Sequence, residues 1–346
     1  MIRNMIDFNH LDKAGWMELY KLAEWMMADP REFGRLCSGR ILATLFYEAS
    51  TRTQFSFQAA AMRLGAGVLG FSGTDGSSVA KGESLKDTIR MISGYADAIV
   101  IRHPVEGSAY AASLYSPVPV INAGDGGHLH PTQTMTDFFT IKKLAGTYEG
   151  LSIGVCGDLL NGRTVHSLLK AFAIYNGNTF YLISSDTLAL PDEYIRPLEA
   201  AGNRVIRCGL IEDCIRNLDF IYMTRIQRER FDCEEEYARQ VGIYVLDAAK
   251  MKLARREMYV LHPLPRVDEI TTEVDDDPRA KYFIQAENGM YIRMALLSKL
   301  LCAGKTEPEA ALKTGDGLCP NPKCITAHEG YLPQRFESGI CMYCEK

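Results

Sequence analysis

The sequence lacks the features that mark several large classes of protein. No apolar run is long enough to suggest a membrane span, and residues 1–10 alternate polar and apolar side chains where a secretion signal has an apolar core. The formal net charge is -5, which leaves no global excess of basic residues to indicate nucleic acid as the main partner. We therefore expect a soluble, cytoplasmic protein that binds neither membranes nor nucleic acid and whose ligands are small anions.

The ten cysteines are unevenly distributed along the sequence. Four lie near the carboxyl terminus, where Cys319 and Cys324 enclose four residues and Cys341 and Cys344 enclose two. Two such pairs suit a tetrahedral four-thiolate zinc site, and disulfides are the alternative, which a cytoplasmic location disfavours. We do not expect His328 to replace a ligand. The other six are expected to be buried, reduced thiols without chemistry: Cys37, Cys156, Cys208, Cys214, Cys233 and Cys302.

Short apolar segments alternate with amphipathic ones along the 346 residues, and no internal repeat is present. Several of the apolar segments are nearly continuous, as in strands of a parallel sheet that helices cover on both faces. We predict an α/β protein with two doubly wound parallel-sheet domains. The predicted strands are 41–46, 98–101, 118–121, 151–156, 179–183, 203–206, 219–223 and 258–261.

The predicted domain boundary lies in a turn-rich segment near residues 144–150. The first domain then covers residues 1–146 and is completed by a helix near 288–304, and the second covers 147–287. Residues 305–346 form a linker and the cysteine-bearing tail.

Polar side chains follow the predicted strands at their carboxyl ends, where open α/β sheets bind ligands. Ser50, Thr51, Arg52 and Thr53 follow the first strand and lead into a helix. Free backbone N–H groups, the helix dipole and a guanidinium at a helix start favour an anion such as phosphate. Taken alone, this segment fits equally well an ordinary N-cap beside a solvated arginine.

The same pattern recurs after other strands, and this recurrence favours a binding site. Taken singly, a histidine is more often structural, an arginine can form a surface ion pair, and prolines can stiffen a turn. Their shared position at one end of successive strands predicts a crevice for two anionic ligands. The further groups are Arg102, His130 and Gln133 in the first domain and Arg163, Arg225, Gln227, His262 and Pro263 in the second.

Together these segments resemble the aspartate and ornithine carbamoyltransferases over residues 1–304. The sequence His262, Pro263, Leu264, Pro265 is similar to the aspartate branch, because the ornithine enzymes have a cysteine after the histidine. A second arginine would also repel the cationic side chain of ornithine. The matching segments are 46–53, 102–104, 130–133, 162–164, 223–227 and 262–266.

The resemblance implies a role for each matched residue. Arg52, Thr53, Arg102, His130 and Gln133 would be catalytic, and the oxyanion of a tetrahedral intermediate would be stabilised by Arg102, His130 and Thr53. Carbamoyl phosphate would contact Ser50, Thr51, Arg52, Thr53, Arg102, His130, Gln133, Ser77, Lys81, Pro263 and Leu264. Aspartate would contact Lys81, Arg163, Arg225, Gln227 and Leu264. Glu48 would pair with Arg163 and Arg230 when the domains close.

The resemblance also implies an assembly. In this family a serine and a lysine of one loop enter the active site of the adjacent subunit, which makes Ser77 and Lys81 candidates and implies a homotrimer, with pairs of trimers as a further possibility. The tail is similar to the zinc domain of the separate regulatory chain of bacterial aspartate carbamoyltransferases, so we expect structural zinc and no redox or organic cofactor.

The implied activity is carbamoyl transfer from carbamoyl phosphate to L-aspartate in pyrimidine biosynthesis. Two alternatives stay open: transfer to another amine such as ornithine, and a catalytically silent partner whose zinc tail organises a complex. The sequence departs from the family at Gln54 and Gln58, where relatives have an arginine and a glutamate one helical turn apart. Because such a pair contributes only about 0.5 kcal/mol, we expect phosphate binding to survive this change.

Overall fold

The computed structural model describes residues 3–73, 78–226, 235, 237, 240, 242–308 and 317–346. The chain divides into two compact units. Unit 1 comprises Met1–Met135 and Gly289–Lys346, and unit 2 comprises Thr136–Asn288. Among the described residues, no helix is both long and apolar enough to cross a membrane.

Unit 1 is built on a four-stranded parallel sheet of β1 (Ile41–Phe46), β2 (Gly67–Ser72), β3 (Ala98–His103) and β4 (Val120–Asp125) in the order β2-β1-β3-β4. The strands β1, β3 and β4 are almost wholly buried, which explains the nearly continuous apolar sequences of β1 and of the first four residues of β3. The helices of this unit are α1 (Lys13–Ala28), α2 (Thr51–Arg63), α3 (Leu85–Ile92), α4 (Ser108–Ser113) and the start of α5 (Pro131–Ala145).

Unit 2 contains a five-stranded parallel sheet in the order β7-β6-β5-β8-β9. Its strands are β5 (Ser152–Cys156), β6 (Thr179–Ile183), β7 (Arg204–Cys208), β8 (Phe220–Met223) and β9 (Tyr259–Leu261). Its helices are α6 (Arg163–Phe172), α7 (Asp192–Ala200) and α8 (Ala248–Leu253), and α9 (Tyr282–Leu300) begins in this unit. Two parallel α/β sheets confirm the predicted fold class.

Strand β2 is absent from the strands that the sequence predicts. It pairs with β1 only, and most of its residues are exposed or half-buried, so it lacks the apolar run of a central strand. Gly67 and Gly70 further weaken its strand pattern. Gly70 has a φ of 148°, and a Cβ there would lie 2.1 Å from the carbonyl oxygen of Thr44 on β1. The neighbouring backbone therefore requires glycine at this position.

Six short 3-10 helices connect the described elements. They are Phe8–His10, Ser78–Lys81, Asp186–Leu188, Ile211–Asp213, Ile215–Asn217 and Thr272–Asp276.

The carboxyl-terminal tail packs against unit 1. It contains α10 (Ile325–His328) and a hairpin of β10 (Phe336–Glu337) and β11 (Ile340–Cys341), whose turn places Ser338 and Gly339 at positive φ. Buried residues of the tail, including Ile325, Leu332 and Tyr343, join the apolar core that the helices α3 and α4 share with the sheet. The tail is therefore part of the hydrophobic core of unit 1.

Candidate active site and cysteine cluster

The carboxyl ends of β1, β3 and β4 meet at one edge of the sheet of unit 1. Phe46, the last residue of β1, is in register with Arg102 of β3, and the backbone N–H of Tyr47 donates to the Arg102 carbonyl oxygen at 2.9 Å. The segment that follows β1 therefore begins beside Arg102. On the other side of β3, Ile101 is in register with Asn122 of β4, and an irregularity then aligns His103 with Asp125.

The start of α2 presents hydroxyl groups and a guanidinium. Ser50 is the N-cap residue, yet its side chain makes no capping bond to the helix and instead lies 3.1 Å from the hydroxyl of Thr53. Thr51 and Arg52 are exposed, whereas Thr53 is buried. The ordinary side-chain N-cap considered above is thus not the arrangement found, and the first N–H groups of α2 are not capped by Ser50.

Arg102 is a buried guanidinium with 8% of its surface exposed. Its Nη1 donates to the carbonyl oxygen of Ala123 at 3.3 Å, and its Nη2 lies 3.3 Å from the carboxylate of Glu48. The first contact ties the side chain to β4, which fixes its direction. The second contact differs from the predicted pairing of Glu48 with Arg163 and Arg230; that pairing stays a prediction, and Arg230 lies outside the described residues.

His130 directly precedes α5 and is buried, and Gln133 in the first turn of this helix is half-buried. The His130 carbonyl oxygen accepts hydrogen bonds from the N–H groups of Gln133 and Thr134 at 3.0 and 3.2 Å. The imidazole and the amide therefore both sit at a helix start, where partial positive charge accumulates.

Arg293 of α9 is a buried cation that the sequence does not single out. Its Nη1 donates to Ser56 Oγ at 3.0 Å, its Nη2 lies 3.5 Å from the Thr132 carbonyl oxygen, and the guanidinium stands 5.1 Å from the centre of the Phe57 ring. It thus joins the second turn of α2 to the first turn of α5. The available signal was an arginine within the apolar stretch of α9, but only the fold identifies its partners.

Two histidines near this edge have opposite pKa shifts. Burial lowers the pKa of His103 to about 4, even though the Asp125 carboxylate opposes the shift. Burial also acts to lower the pKa of His128, but the charge and hydrogen bond of Asp125, assisted by Glu345, raise it to about 10. His128 Nδ1 lies 3.0 Å from Asp125, and Nε2 lies 3.2 Å from Glu345. The surroundings therefore favour the charged form of His128 and the neutral form of His103.

In unit 2 the predicted cations also lie where strands end. Arg163 is the first residue of α6, after β5 and the N-cap Gly162, and Arg225 lies two residues beyond β8. Because β5 and β8 are paired neighbours, both segments leave the same edge of the sheet. Both side chains are half-buried. Gln227 was predicted beside them and lies outside the described residues.

The turn after β9 is held by the buried His262. Its Nδ1 accepts a hydrogen bond from the Leu264 N–H at 2.7 Å, and its Nε2 lies 2.6 Å from the Glu269 carboxylate. The backbone N–H of His262 donates to the side-chain oxygen of Gln285 at 2.9 Å. Burial alone would raise the pKa of Glu269, but the hydrogen bond and charge of His262 and the N–H of Val267 bring it below its usual value. Leu264 has a φ of 53°, and Pro263 beside it is half-buried. The turn thus presents backbone carbonyls in a fixed geometry.

Of the two residues predicted to serve an adjacent subunit, only Lys81 is described. It ends the 3-10 helix Ser78–Lys81 and is exposed. Ser77 lies outside the described residues.

The four tail cysteines form one compact cluster. The sulfurs of Cys319, Cys324, Cys341 and Cys344 all lie within 4.8 Å of one another, with Cys319 to Cys344 at 3.6 Å and Cys324 to Cys341 at 3.9 Å. A disulfide needs about 2.05 Å, so these pairs are not bonded. A tetrahedron with Zn–S bonds of about 2.3 Å has edges of about 3.8 Å, which the two distances match. The donor set therefore fits zinc, and His328 does not belong to it.

Of the other cysteines, Cys37, Cys156 and Cys214 are buried as predicted, whereas Cys208 is half-buried and the prediction for Cys302 is wrong, because its side chain is exposed. Burial raises the pKa of Cys37 to about 12 and raises that of Cys156 as well, so both remain thiols. Cys233 lies outside the described residues.

Two protein-family models match successive parts of this chain. Residues 3–143 match the family model of the aspartate/ornithine carbamoyltransferase carbamoyl-P binding domain, and residues 149–300 match that of the Asp/Orn binding domain. Together the two matches span most of the sequence. The chain belongs to the aspartate/ornithine carbamoyltransferase family.

Individual relatives place this carbamoyltransferase in the aspartate branch. The aspartate carbamoyltransferase catalytic subunit of Clostridium perfringens is 57% identical over 301 residues, covering 86% of this chain and 98% of the relative. The catalytic subunit of M. jannaschii aspartate transcarbamoylase has a TM-score of 0.81 at 44% identity, covering 87% and 98% of the two chains.

A Trypanosoma cruzi aspartate transcarbamoylase solved with N-(phosphonacetyl)-L-aspartic acid has a TM-score of 0.81 at 38% identity, covering 87% of this chain and 96% of its own. The predicted enzyme class and the choice of the aspartate branch are thereby confirmed. The second family match ends at residue 300, so the cysteine cluster of this carbamoyltransferase lies outside both matches.

The structure also shows the partners of the two glutamines of α2, Gln54 and Gln58. The Gln54 amide donates to the Phe71 carbonyl oxygen of β2, and the Gln58 amide donates to Thr44 Oγ1, each at 3.3 Å. Two neutral hydrogen bonds therefore tie α2 to the sheet at these positions.

Proposed function

We propose that this chain transfers the carbamoyl group of carbamoyl phosphate to the α-amine of L-aspartate, giving N-carbamoyl-L-aspartate and phosphate for pyrimidine biosynthesis. The observation that carries the proposal is the set of cationic and hydroxyl groups at neighbouring strand ends of unit 1, in a chain of the aspartate branch. Cytoplasmic location is part of the proposal, because free cysteines and a thiolate cluster suit a reducing compartment.

Unit 1 would bind carbamoyl phosphate. The first turn of α2 offers backbone N–H groups and the side chains of Ser50, Thr51, Arg52 and Thr53 to the phosphate, and the helix dipole favours its charge. Arg102 and His130 would reach the carbamoyl oxygen, and Gln133 the amino group. The contact between Arg102 and Ala123 supports this role, because it fixes the guanidinium before the ligand arrives.

Unit 2 would bind aspartate. Arg163, Arg225 and Gln227 would hold its two carboxylates, since two guanidinium groups and an amide suit a dicarboxylate. The carbonyl oxygens of Pro263 and Leu264 would accept hydrogen bonds from the reacting amino groups. The hydrogen bonds of His262 to Leu264 and Glu269 support this assignment, because they hold the turn in one conformation.

The reaction would proceed by direct attack. The neutral amine of aspartate adds to the carbamoyl carbon, and the tetrahedral oxyanion collapses by expelling phosphate, which takes the proton. Arg102, His130 and Thr53 would stabilise the oxyanion, and losing one such donor typically costs about 3 kcal/mol. Positioning two anions beside preset cations contributes up to about 7 to 11 kcal/mol in well-oriented systems.

A homotrimer is the assembly that we propose, with Ser77 and Lys81 completing the site of the adjacent subunit. Helix α2 supports self-association: Phe55 and Met62 lie seven residues apart, therefore on one face, and each is 61% exposed. A Phe55→Glu, Met62→Glu double variant should sediment as a monomer and lose activity. A variant that stays trimeric would contradict the use of this face, and Leu210→Glu, at an exposed leucine of unit 2, is the matched control.

The tail would hold one structural zinc ion through Cys319, Cys324, Cys341 and Cys344, as in the zinc domain that it resembles. The metal would crosslink the tail without taking part in the transfer. We expect about one zinc per chain by elemental analysis, and its loss in Cys341→Ser, whereas Cys302→Ser, at an exposed thiol of the same unit, keeps it. Unchanged zinc in Cys341→Ser would contradict the ligand set.

A colorimetric assay of ureido product across several amines tests the function. We expect product from aspartate and none from ornithine. Product from ornithine alone would overturn the acceptor assignment, and no product from any amine would favour a silent partner with a zinc tail.

A further inference from the structure

The tail joins unit 1 through the backbone of Glu106, in the turn after β3. The Glu106 N–H donates to the Lys323 carbonyl oxygen at 3.1 Å, and the Ile325 N–H donates to the Glu106 carbonyl oxygen at 2.8 Å. The buried Glu106 carboxylate accepts from the Asn321 amide at 2.6 Å, and Lys346 Nζ lies 3.3 Å away. The cysteine cluster is thereby bonded to a segment that begins at the active-site edge.

The next residue, Gly107, lies between the tail and the loop after β4. It has a φ of 84°, and a Cβ there would stand 2.7 Å from the carbonyl oxygen of Tyr343, so the tail backbone is in close contact with it. Its N–H donates to Asp125 Oδ2 at 2.8 Å. Contact with the tail is thus transmitted to Asp125 through one residue.

Asp125 is the last residue of β4 and organises the loop 126–130, which carries His130 into α5. Its buried carboxylate accepts from the Asn122 amide at 3.0 Å and from the Leu129 N–H at 3.2 Å, and it lies 3.0 Å from His128 Nδ1. Leu129 immediately precedes His130. The geometry of this loop therefore determines where the His130 imidazole stands.

A second link runs from the tail to the same loop. Glu345 follows Cys344 directly, and its carboxylate lies 3.2 Å from Nε2 of His128, whose Nδ1 contacts Asp125. Strand β4, which ends at Asp125, also supplies the Ala123 carbonyl oxygen that Arg102 contacts. One carboxylate of the tail is thus two hydrogen bonds away from the residue that orders the loop.

We infer that the cysteine tail positions the carbamoyl phosphate site through the chain of contacts Glu345, His128 and Asp125. In this role Glu345 and His128 are positioning residues, because they act on His130 through the loop and on Arg102 through the end of β4. This inference rests on the proposed function, since its readout is carbamoyl transfer. It goes beyond that function by assigning the tail a part in substrate binding in addition to holding metal.

The experiment compares three variants in the full-length, zinc-loaded chain. Glu345→Ala removes the acceptor, Glu345→Gln keeps a neutral acceptor of the same size, and Tyr331→Phe is the matched control. The Tyr331 hydroxyl also joins the tail to unit 1, but it accepts from the Lys86 N–H at the start of α3, away from the loop. For each variant we would measure kcat, KM for both substrates and zinc content.

We expect Glu345→Ala to lower kcat/KM for carbamoyl phosphate by about threefold to tenfold while KM for aspartate changes less than about twofold. Glu345→Gln should recover most of the loss, and Tyr331→Phe should match the parent. An unchanged Glu345→Ala variant, or an equal loss in Tyr331→Phe, would overturn the inference. A purely structural tail would lower stability without this separation of the two KM values.

A variant outside the tail distinguishes the inferred role from simple unfolding of the tail. His128→Asn should reproduce the loss with zinc retained, and its combination with Glu345→Ala should add little, because both interrupt one chain of contacts. Wild-type kcat/KM in His128→Asn, or full additivity, would overturn the inference. If the parent protein itself forms no carbamoyl aspartate, the proposed function fails; if only the variants are unaffected, the inference alone fails.

Discussion

The two parallel sheets of this protein differ in which groups are held in place at the carboxyl ends of their strands. Unit 1 fixes side chains: Arg102 is tied to Ala123, and His130 is buried at the start of α5. Unit 2 fixes backbone: His262, held by Glu269, sets the turn of Leu264. Under the proposed function the difference would suit two ligands, because a phosphate and an oxyanion need positive donors whereas attacking amino groups need carbonyl acceptors. The two units would thus serve opposite chemistry through different loops at their strand ends.

The largest effect should come from removing the fixed cation of unit 1. Arg102→Ala should lower kcat by about 10²- to 10³-fold, because a preset donor to the oxyanion is lost. The measurement is carbamoyl aspartate formation at saturating substrates. Arg207→Ala, at an exposed ion pair in unit 2, should leave kcat unchanged. If kcat fell only a few-fold in Arg102→Ala, unit 1 would not depend on a fixed side chain, and its contrast with unit 2 would be lost.

The next effect separates the ligands of the two units. Arg225→Ala should raise KM for aspartate by about 10- to 100-fold, the loss of one charged hydrogen bond, with little change in KM for carbamoyl phosphate. Steady-state kinetics with each substrate varied in turn makes the test. Equal increases in both KM values would show that the arginine does not discriminate between the ligands.

A smaller effect is expected when the turn of unit 2 loses its charged support. Glu269→Gln keeps the shape but places an amide beside His262 and the Val267 N–H, so kcat should fall by about fivefold. Glu273→Gln changes an exposed acid of the same unit and is the control. A wild-type kcat in Glu269→Gln would indicate that the turn does not need its carboxylate.

The smallest effect concerns the pH dependence of stability. Folding lowers the pKa of His103 to about 4, chiefly by burial, with His328 acting in the same direction and Asp125 and Glu48 opposing. The folded state therefore prefers neutral imidazole, and this contribution is present above the usual pKa of about 6.5 and lost as pH falls.

Between pH 7.5 and 6.0 the loss should be about 0.8 kcal/mol in the free energy of unfolding, and it should be absent in His103→Asn. Denaturant titrations at the two pH values provide the measurement. If the free energy of unfolding changed equally between the two pH values in the parent protein and in His103→Asn, the lowered pKa of His103 would be contradicted.

Periodicity sufficed for the fold class, because buried parallel strands are nearly continuous apolar runs, as in β1 and the first four residues of β3. It missed β2, whose exposed edge position and glycines remove that signal. It also missed Arg293 and the contact between His128 and Glu345, because their partners are distant in sequence. The roles of the individual site residues stay predictions, and Ser77, Gln227 and Arg230 lie outside the described residues.

What the sequence by itself determined is local: which segments are strands, which polar groups follow them, and how the tail cysteines are spaced. Only the tertiary structure decided that β1, β3 and β4 are neighbours, so that their polar ends meet, and that the tail packs on the turn at Glu106. The physical reason is that strand order and docking depend on burying apolar surface between segments far apart in the chain, which no local pattern encodes.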